Sequence, residues 1–369
     1  MNKKLVALAV SAVAAGAASA QTANVTLYGV VDTYLASERV SAQGVTPSSK
    51  VAVLNGGGLS GSRWGLRGSE SLGGGVNAIF TLENGFDSST GALGQGGRLF
   101  GRRAFVGLNG GFGQVQVGRD YSPNFWVQLN SDDTFGGGLT GFSAVANLGQ
   151  FYANTLRQDN QVQYITPNMG GLTARVAWAL GEEANGTSRG RTFGANVEYK
   201  NGPIYVGVGF SDFKNPTAAF NTATPPVRVY TGEFSGLLGT TTAGTVSNKQ
   251  FIVGAAYNFG VAYLGATYME NKSWNGSKTK VPVGSLTVPF GSSRIAAQYG
   301  QSKNGSNKAK TFGLIGEYDM SKRTTAYAFG GQAKNDGLVN VFDGNTAANT
   351  CTVKGQKCSA FGVGLRHRF

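Results

Sequence analysis

The chain has 369 residues, with 58 glycines but only 9 prolines, and a generous 14 Tyr and 22 Phe. That balance excludes a collagen or a proline-rich disordered chain. The formal charge of +13 would suggest nucleic acid for a cytoplasmic protein, but not for an exported one, where a basic surface meets anionic solutes or lipopolysaccharide phosphates.

Export is written at the start of the chain. Residues 1–20 carry a basic beginning at Lys3 and Lys4, an apolar run from Leu5 to Ala15, and the A-x-A site Ala18-Ser19-Ala20. This is the pattern of a cleaved secretory signal peptide, too short and wrongly flanked for a spanning helix. The folded chain is therefore expected over 21–369. No later stretch reaches the roughly 20 apolar residues that a membrane-crossing helix needs, which leaves a soluble protein or a β-barrel. The mean hydropathy of −0.13 suits a barrel, because only alternate residues would face lipid.

Asn24 to Ser37 reads as a first strand, with Val25, Leu27 and Val31 on one side and Thr26, Tyr28 and Asp32 on the other. A polar loop is expected from there to Gly58. The run from Leu59 to Asp120 then holds four alternating segments, joined by the turn SLGGG, a longer polar loop and the turn NGGFG. Trp64 and Leu66 share one face and Arg63 and Arg67 the other. Val76, Ala78, Phe80 and Leu82 alternate with Asn77, Thr81 and Glu83. A period of two with one apolar face is the strand signature, and such short glycine turns join antiparallel neighbours.

Alternation stops over 122–155. The segment TFGGGLTGF in its middle is too glycine-rich for a helix and too irregular for a strand, and long insertions in compact chains tend to be functional. The pattern returns from Leu156. Leu172–Leu180, Arg191–Lys200 and Ile204–Phe210 follow, the last two joined by the hairpin dipeptide Asn201-Gly202. After a second long polar loop, Lys214–Asn248, come Gln250–Phe259, Val261–Glu270, Lys278–Val288, Ser293–Ser302, Lys310–Asp319, Arg323–Gln332 and finally Ser359–Phe369. Tight turns alternate with long loops, one kind for each rim. The fold class expected is all-β: a transmembrane antiparallel β-barrel of about 16 strands.

Cys351 and Cys358 are seven apart in a polar loop near the C-terminus. An even count in an oxidising compartment reads as a disulfide closing that loop; a metal site would need further ligands, and His367 stands apart on a strand. No metal or other cofactor is expected. The glycine runs lack the strand, helix and Lys-Ser/Thr context of a phosphate loop. A hydrolase needs a nucleophile with a positioned base, and His367, with the parity of Leu365 and Phe369, is poorly placed to supply one.

TLYG, SRWGLRGSESLGGGVNAIFTLENGF, GRRAFVGLNGGFGQVQVGRDYSP, RQDNQVQY and the terminal FGVGLRHRF resemble the general Gram-negative porins, particularly those of β-proteobacteria, across essentially the whole folded chain. The resemblance implies a sixteen-stranded barrel, a homotrimer, and a third loop folded into the lumen as a constriction, here 122–155. It implies a basic cluster of Arg63, Arg102 and Arg157 on the wall, facing Asp132 and Asp133 on the loop. Arg103 follows Arg102 directly, and its two-residue step to Phe105 favours Arg102 as the inward member. Arg103, Arg175 and Arg294 are weaker pore-lining candidates, and Arg119 lines either the pore or a subunit interface. Enterobacterial members have a glutamate before the loop's Phe-Gly-Gly where this chain has Thr134, which removes a negative charge. Phe369 resembles the terminal signal read by barrel assembly machinery. The function implied is passive diffusion of small hydrophilic solutes with anion preference. Alternatives are a substrate-specific anion channel and a surface adhesin or antigen acting through its loops.

Overall fold

The computed structural model describes residues 24–42, 45–132, 156–181, 191–216, 245–272, 276–336 and 355–369. The signal segment, Cys351 and most of the long loops lie outside them. The strands are β1 (Asn24–Ala42), β2 (Val45–Gly56), β3 (Arg63–Gly73), β4 (Val76–Gly85), β5 (Arg103–Gly110), β6 (Gly113–Tyr121), β7 (Arg157–Ile165), β8 (Leu172–Ala179) and β9 (Thr192–Asn201). They continue as β10 (Ile204–Pro216), β11 (Thr245–Asn258), β12 (Tyr263–Lys272), β13 (Lys278–Phe290), β14 (Ser293–Asn304), β15 (Asn307–Asp319), β16 (Thr324–Asn335) and β17 (Gln356–Arg368). Consecutive strands from β3 onward pair antiparallel, and β17 returns to pair with β1 over Val30–Ala42, which closes the sheet.

Seventeen strands occupy sixteen places around this barrel. β1 pairs with β2 over Thr33–Ala42 and with β3 over Asn24–Val30, both antiparallel. Because β17 holds the other edge of β1, β2 and β3 must lie on the same edge, one above the other. They form a single wall strand broken by residues 57–62. The loop expected between Ser37 and Gly58 is thus mostly strand: β1 runs on to Ala42 and β2 returns from Val45. The count around the barrel is unchanged because β2 adds no new place.

The break is held from inside. Asp32 is fully buried, and its Oδ2 accepts from the backbone N–H of Leu59 (2.9 Å) and Ser60 (2.8 Å). Its Oδ1 accepts from the Tyr327 hydroxyl at 2.6 Å. The Ser62 hydroxyl donates to the Asp32 carbonyl (3.1 Å) and accepts from its N–H (3.0 Å). Gly58 sits so close to Tyr327 that an added Cβ would lie 2.2 Å from the phenol oxygen, so only glycine fits there. Leu59 is fully buried and belongs to the same apolar cluster as Tyr34 and Tyr327. The segment therefore folds inward and packs on the lumenal wall.

Side chains alternate around the whole circuit. Val25, Leu27 and Leu35 of β1, Val106 and Leu108 of β5, Val115 and Val117 of β6, and Ile295 and Tyr299 of β14 are exposed. Their neighbours Asp32, Thr81, Glu83, Gln116, Gln161, Gln163 and Gln298 are buried. A closed sheet that shows its apolar side chains outward and hides its polar ones is stable only with hydrocarbon outside and water within. No helix among the described residues is long and apolar enough to cross a membrane. Tight turns such as those at Gly260 (φ +80°) and Gly291 (φ +59°) mark one rim, and the long loops mark the other. On the turn rim the chain ends meet: the backbones of Gly29 and Phe369 exchange hydrogen bonds of 3.0 and 3.1 Å. The Phe369 ring lies over Gly29, where a Cβ would stand 2.2 Å from it.

The start of the long insertion holds a nine-residue helix, Pro123–Ser131. Cys358 is buried near the start of β17, and no free cysteine occurs among the described residues.

Candidate functional site: a charged constriction on the inner wall

The inner wall is divided. Across β1, β2 and β11–β17 it carries buried apolar side chains, including Ile252, Met269, Val281 and Ile315. It also carries charge there, at Arg294, Glu317 and Arg366, while on the arc from β3 to β8 charge gathers near the long-loop ends of the strands.

Arg63 opens β3 at the end of the inward fold and donates to the Gly61 carbonyl at 3.2 Å. It makes no ion pair with a carboxylate among the described residues. Arg102 lies just before β5; its Nε donates to Glu83 Oε1 at 2.7 Å and its Nη2 to the Tyr121 hydroxyl at 2.8 Å. Arg157, at the start of β7, donates to the same hydroxyl at 2.8 Å, with its guanidinium 4.4 Å from the Tyr121 ring centroid. Glu83 Oε2 also accepts from the Tyr28 hydroxyl at 2.9 Å. Two guanidiniums thus share one phenol oxygen, a third stands beside them, and Glu83 is the carboxylate that Arg102 meets among the described residues.

The other arginines are arranged differently. Arg103 is inward too: it shares the face of buried Phe105, while Val106 and Leu108 point outward. It makes a two-pronged pair with Asp120, at 2.7 and 2.9 Å, and lies over the Phe105 ring at 5.0 Å. The parity that favoured Arg102 alone does not hold. Arg102 precedes the strand, where the period of two does not govern direction, so both reach the lumen; Arg103 arrives neutralised. Arg175 pairs with Glu198 and lies 5.0 Å from the Trp126 ring. Arg294 pairs with Glu317 at 2.7 Å, and Arg366 approaches the same carboxylate at 3.5 Å. Arg119 donates to the Gly101 carbonyl and to Asp159, which also takes Arg98. Asp159 and Arg98 are more than two-fifths exposed, so this triad sits on the outer side.

The helix Pro123–Ser131 lies against the opposite part of the wall. Asn124 Nδ2 donates to Gln250 (2.8 Å), Tyr263 donates to the Asn130 carbonyl (3.0 Å), and the Ser131 and Thr267 hydroxyls meet at 2.9 Å. Missing side chains make room for it. A Cβ on Gly254 would lie 2.5 Å from the Ser131 side chain, and one on Gly265 2.3 Å from the Ser131 carbonyl. Asp132 ends the helix buried, accepting from Gln298 of β14 at 2.5 Å. It is therefore tied to the wall at β14, five strand places from Arg63 and almost half-way round the barrel from Arg102 and Arg157. Asp133 and Thr134 lie outside the described residues. A Gly265→Leu variant should push the helix off its seat at a cost of about 1–3 kcal/mol for overpacking. Lower single-channel conductance and a lower midpoint for heat dissociation of the barrel are expected; unchanged values for both would show that the glycine seat is unimportant.

A family model described as Gram-negative porin matches residues 7–338. The chain belongs to the Gram-negative porin family. Among its relatives, an outer membrane porin protein of Bordetella pertussis is 31% identical over 100% of both chains. Outer membrane porin protein 32 of Delftia acidovorans is 34% identical, also over 100% of both. Among solved structures, the anion-selective porin from Comamonas acidovorans superposes with a TM-score of 0.74 at 29% identity, covering 94% of this chain and 100% of that one. The trimer form of OmpT from Vibrio cholerae, at 18% identity and TM-score 0.62, covers 94% and 99% and shares the fold. This porin is accordingly an outer-membrane protein whose barrel forms a water-filled channel for passive diffusion of small hydrophilic solutes. Sixteen strands leave an aqueous lumen.

Glu83, Tyr121, Asp120 and Glu198 were not singled out as site residues by the sequence. The signal was present for Glu83, which alternates with Leu82 on the face of Arg67, and for Tyr121 in the DYSP end of a family motif.

Proposed function

We propose that this porin prefers anions and that Arg63, Arg102 and Arg157 set the preference. The observation that carries the reading is the sharing of Tyr121 by Arg102 and Arg157 with Glu83 as their neighbouring carboxylate. A ring of like charge in a low-dielectric wall raises the local concentration of counter-ions. The relative from Comamonas acidovorans is described as anion-selective, and Asp132 is buried against Gln298 of β14, away from the cluster. Recording single channels in a planar bilayer across a salt gradient tests the reading. The zero-current potential should carry the sign of anion permeation and shrink as salt screens the charges. A cation-selective potential would sink it.

The same reading makes the assembled protein a homotrimer, with the outward Arg98–Asp159–Arg119 triad at or near the subunit contact. Residues 1–20 are removed on export, Cys351 bridges Cys358, and Phe369 is read by barrel assembly machinery. The outward stripe Phe361, Val363 and Leu365 on β17 supports the last of these. No catalysis is proposed: His367 faces outward and meets the Thr324 hydroxyl at 2.9 Å. Lipopolysaccharide is the partner proposed for the outer face.

A further inference from the structure

The helix Pro123–Ser131 carries its polarity the unusual way round for a channel. Asn124, Gln128 and Ser131, spaced at four and three residues, are buried on the wall together with Val127. There Asn124 reaches Gln250 and Ser131 meets Thr267. Phe125, Trp126 and Leu129 share the other face and are half-buried. A helix beside water ordinarily turns its apolar side chains away from it. This one turns polar side chains to the wall and two aromatic rings toward the lumen.

Those rings continue into the arginine cluster. Phe125 stacks on Tyr121, with ring centroids 4.1 Å apart and planes 11° from parallel. Trp126 meets Phe125 in a T-shaped contact at 5.8 Å. The Arg157 guanidinium lies 4.4 Å from the Tyr121 centroid, and that of Arg175 lies 5.0 Å from the Trp126 ring. Three rings thus form one column with a guanidinium at each end. The two ends differ in charge: Arg175 is paired with Glu198, whereas Arg157 belongs to the cluster with Arg102 and Arg63. Tyr121 is buried, so Phe125 and Trp126 are the rings of the column that a solute can meet.

A small inorganic anion needs only the arginines. An aromatic face directly beside them offers a contact that such an ion cannot use. A planar ring can lie against Phe125 or Trp126 in offset-stacked or edge-to-face contact, while a carboxylate on that ring meets a guanidinium. Phe125 and Arg157 sit against the same phenol ring, close enough together for one arenecarboxylate to touch both.

We infer that the lumenal face of this helix is a weak binding site for aromatic carboxylates passing through the pore. Phe125 and Trp126 take the ring, and the Arg157 end of the column takes the carboxylate. The inference rests on the anion preference proposed above and adds to it a class of solute. Binding in a channel must be weak enough for release, and one half-buried aromatic face beside hydrated arginines suits that need.

The test titrates single channels of the full porin in planar bilayers, at neutral pH in chloride, with benzoate or with cyclohexanecarboxylate. The second acid has the same charge and number of carbons but no flat aromatic face. Wild type should lose chloride current at a benzoate concentration roughly two- to tenfold lower than that of cyclohexanecarboxylate, the range that an aromatic contact adds. Phe125→Leu and, separately, Trp126→Leu keep an apolar side chain and should bring the two acids closer together. The quantity compared is the ratio of the two acids within each channel, so a change in basal conductance does not enter it, and the wild-type ratio stands without either variant. Equal response of wild type to both acids, with an anion-selective zero-current potential in chloride, would overturn this inference alone and assign the aromatic face to packing within the chain. A ratio retained in both variants would overturn it too. A cation-selective potential would overturn the anion preference and this inference with it.

Discussion

Replacing Arg63, Arg102 and Arg157 together by Ser should convert an anion-preferring channel into one that favours cations weakly. A unit charge about 6 Å from a permeating ion in water contributes about 0.7 kcal/mol, or roughly threefold in local concentration. Three such charges, removed while Glu83 stays, make the expected change in local anion concentration on the order of thirtyfold before screening. The sign change follows because Glu83, now paired with Arg102 at 2.7 Å, would be left without that partner. The difference between variant and wild type should be largest at low ionic strength and fade as the screening length shortens. Mobility on an unheated gel should match wild type, since the cluster lines the water-filled side of a wall held by its own ladder of hydrogen bonds. A variant that keeps its zero-current potential would mean that other charges set the selectivity.

The second large effect is expected from a residue that touches no solute. Asp32→Ala would strip acceptors from the Leu59 and Ser60 amides and from the Tyr327 hydroxyl at once. Buried donors left without partners cost about 1–3 kcal/mol each. With three affected and some relief by entering water, a loss of about 3–5 kcal/mol is expected. The inward fold at 57–62 should loosen, and Arg63, one residue beyond it, should lose its fixed position. The midpoint for heat dissociation should drop and the open-channel current should become noisier, while Asp32→Asn, which keeps an acceptor oxygen, should lie between. Wild-type stability in Asp32→Ala would show that the fold is held by Leu59 packing alone.

Much of the architecture was legible because one physical constraint repeats on nearly every strand. A wall with hydrocarbon on one side and water on the other imposes a period of two, and β5, β8 and β13 display it without interruption. The constraint fades near the long-loop rim, where both sides of the wall are wet. There Ser48, Ser49 and Lys50 read as loop although β2 had already begun at Val45. The helix Pro123–Ser131 was missed for a related reason. One side packs on the wall and the other faces the lumen, so Val127 is buried among polar neighbours such as Asn124 and Gln128 and no apolar stripe stands out. Ser122 followed by Pro123 was a usable start signal, since Pro suits the first helical position. Charge pairing was the least legible feature. Nothing in the spacing of Arg103 and Asp120, or of Arg175 and Glu198, says that one strand register brings them together while Arg63 has no carboxylate ion pair among the described residues.

The seam between β1 and β17 bears on how the barrel is made. Gly29 and Phe369 exchange hydrogen bonds across it, and thirteen residues from Val30 to Ala42 find their partners more than three hundred positions away. Every other neighbouring pair can zip from a local hairpin or loop, so this contact has by far the largest loop-closure entropy and forms last. Until the final residue has left the translocation machinery, β1 and β17 are two unpaired edges at opposite ends of an open sheet, each inviting the wrong partner. A chain truncated before the last strand has no way to hide them.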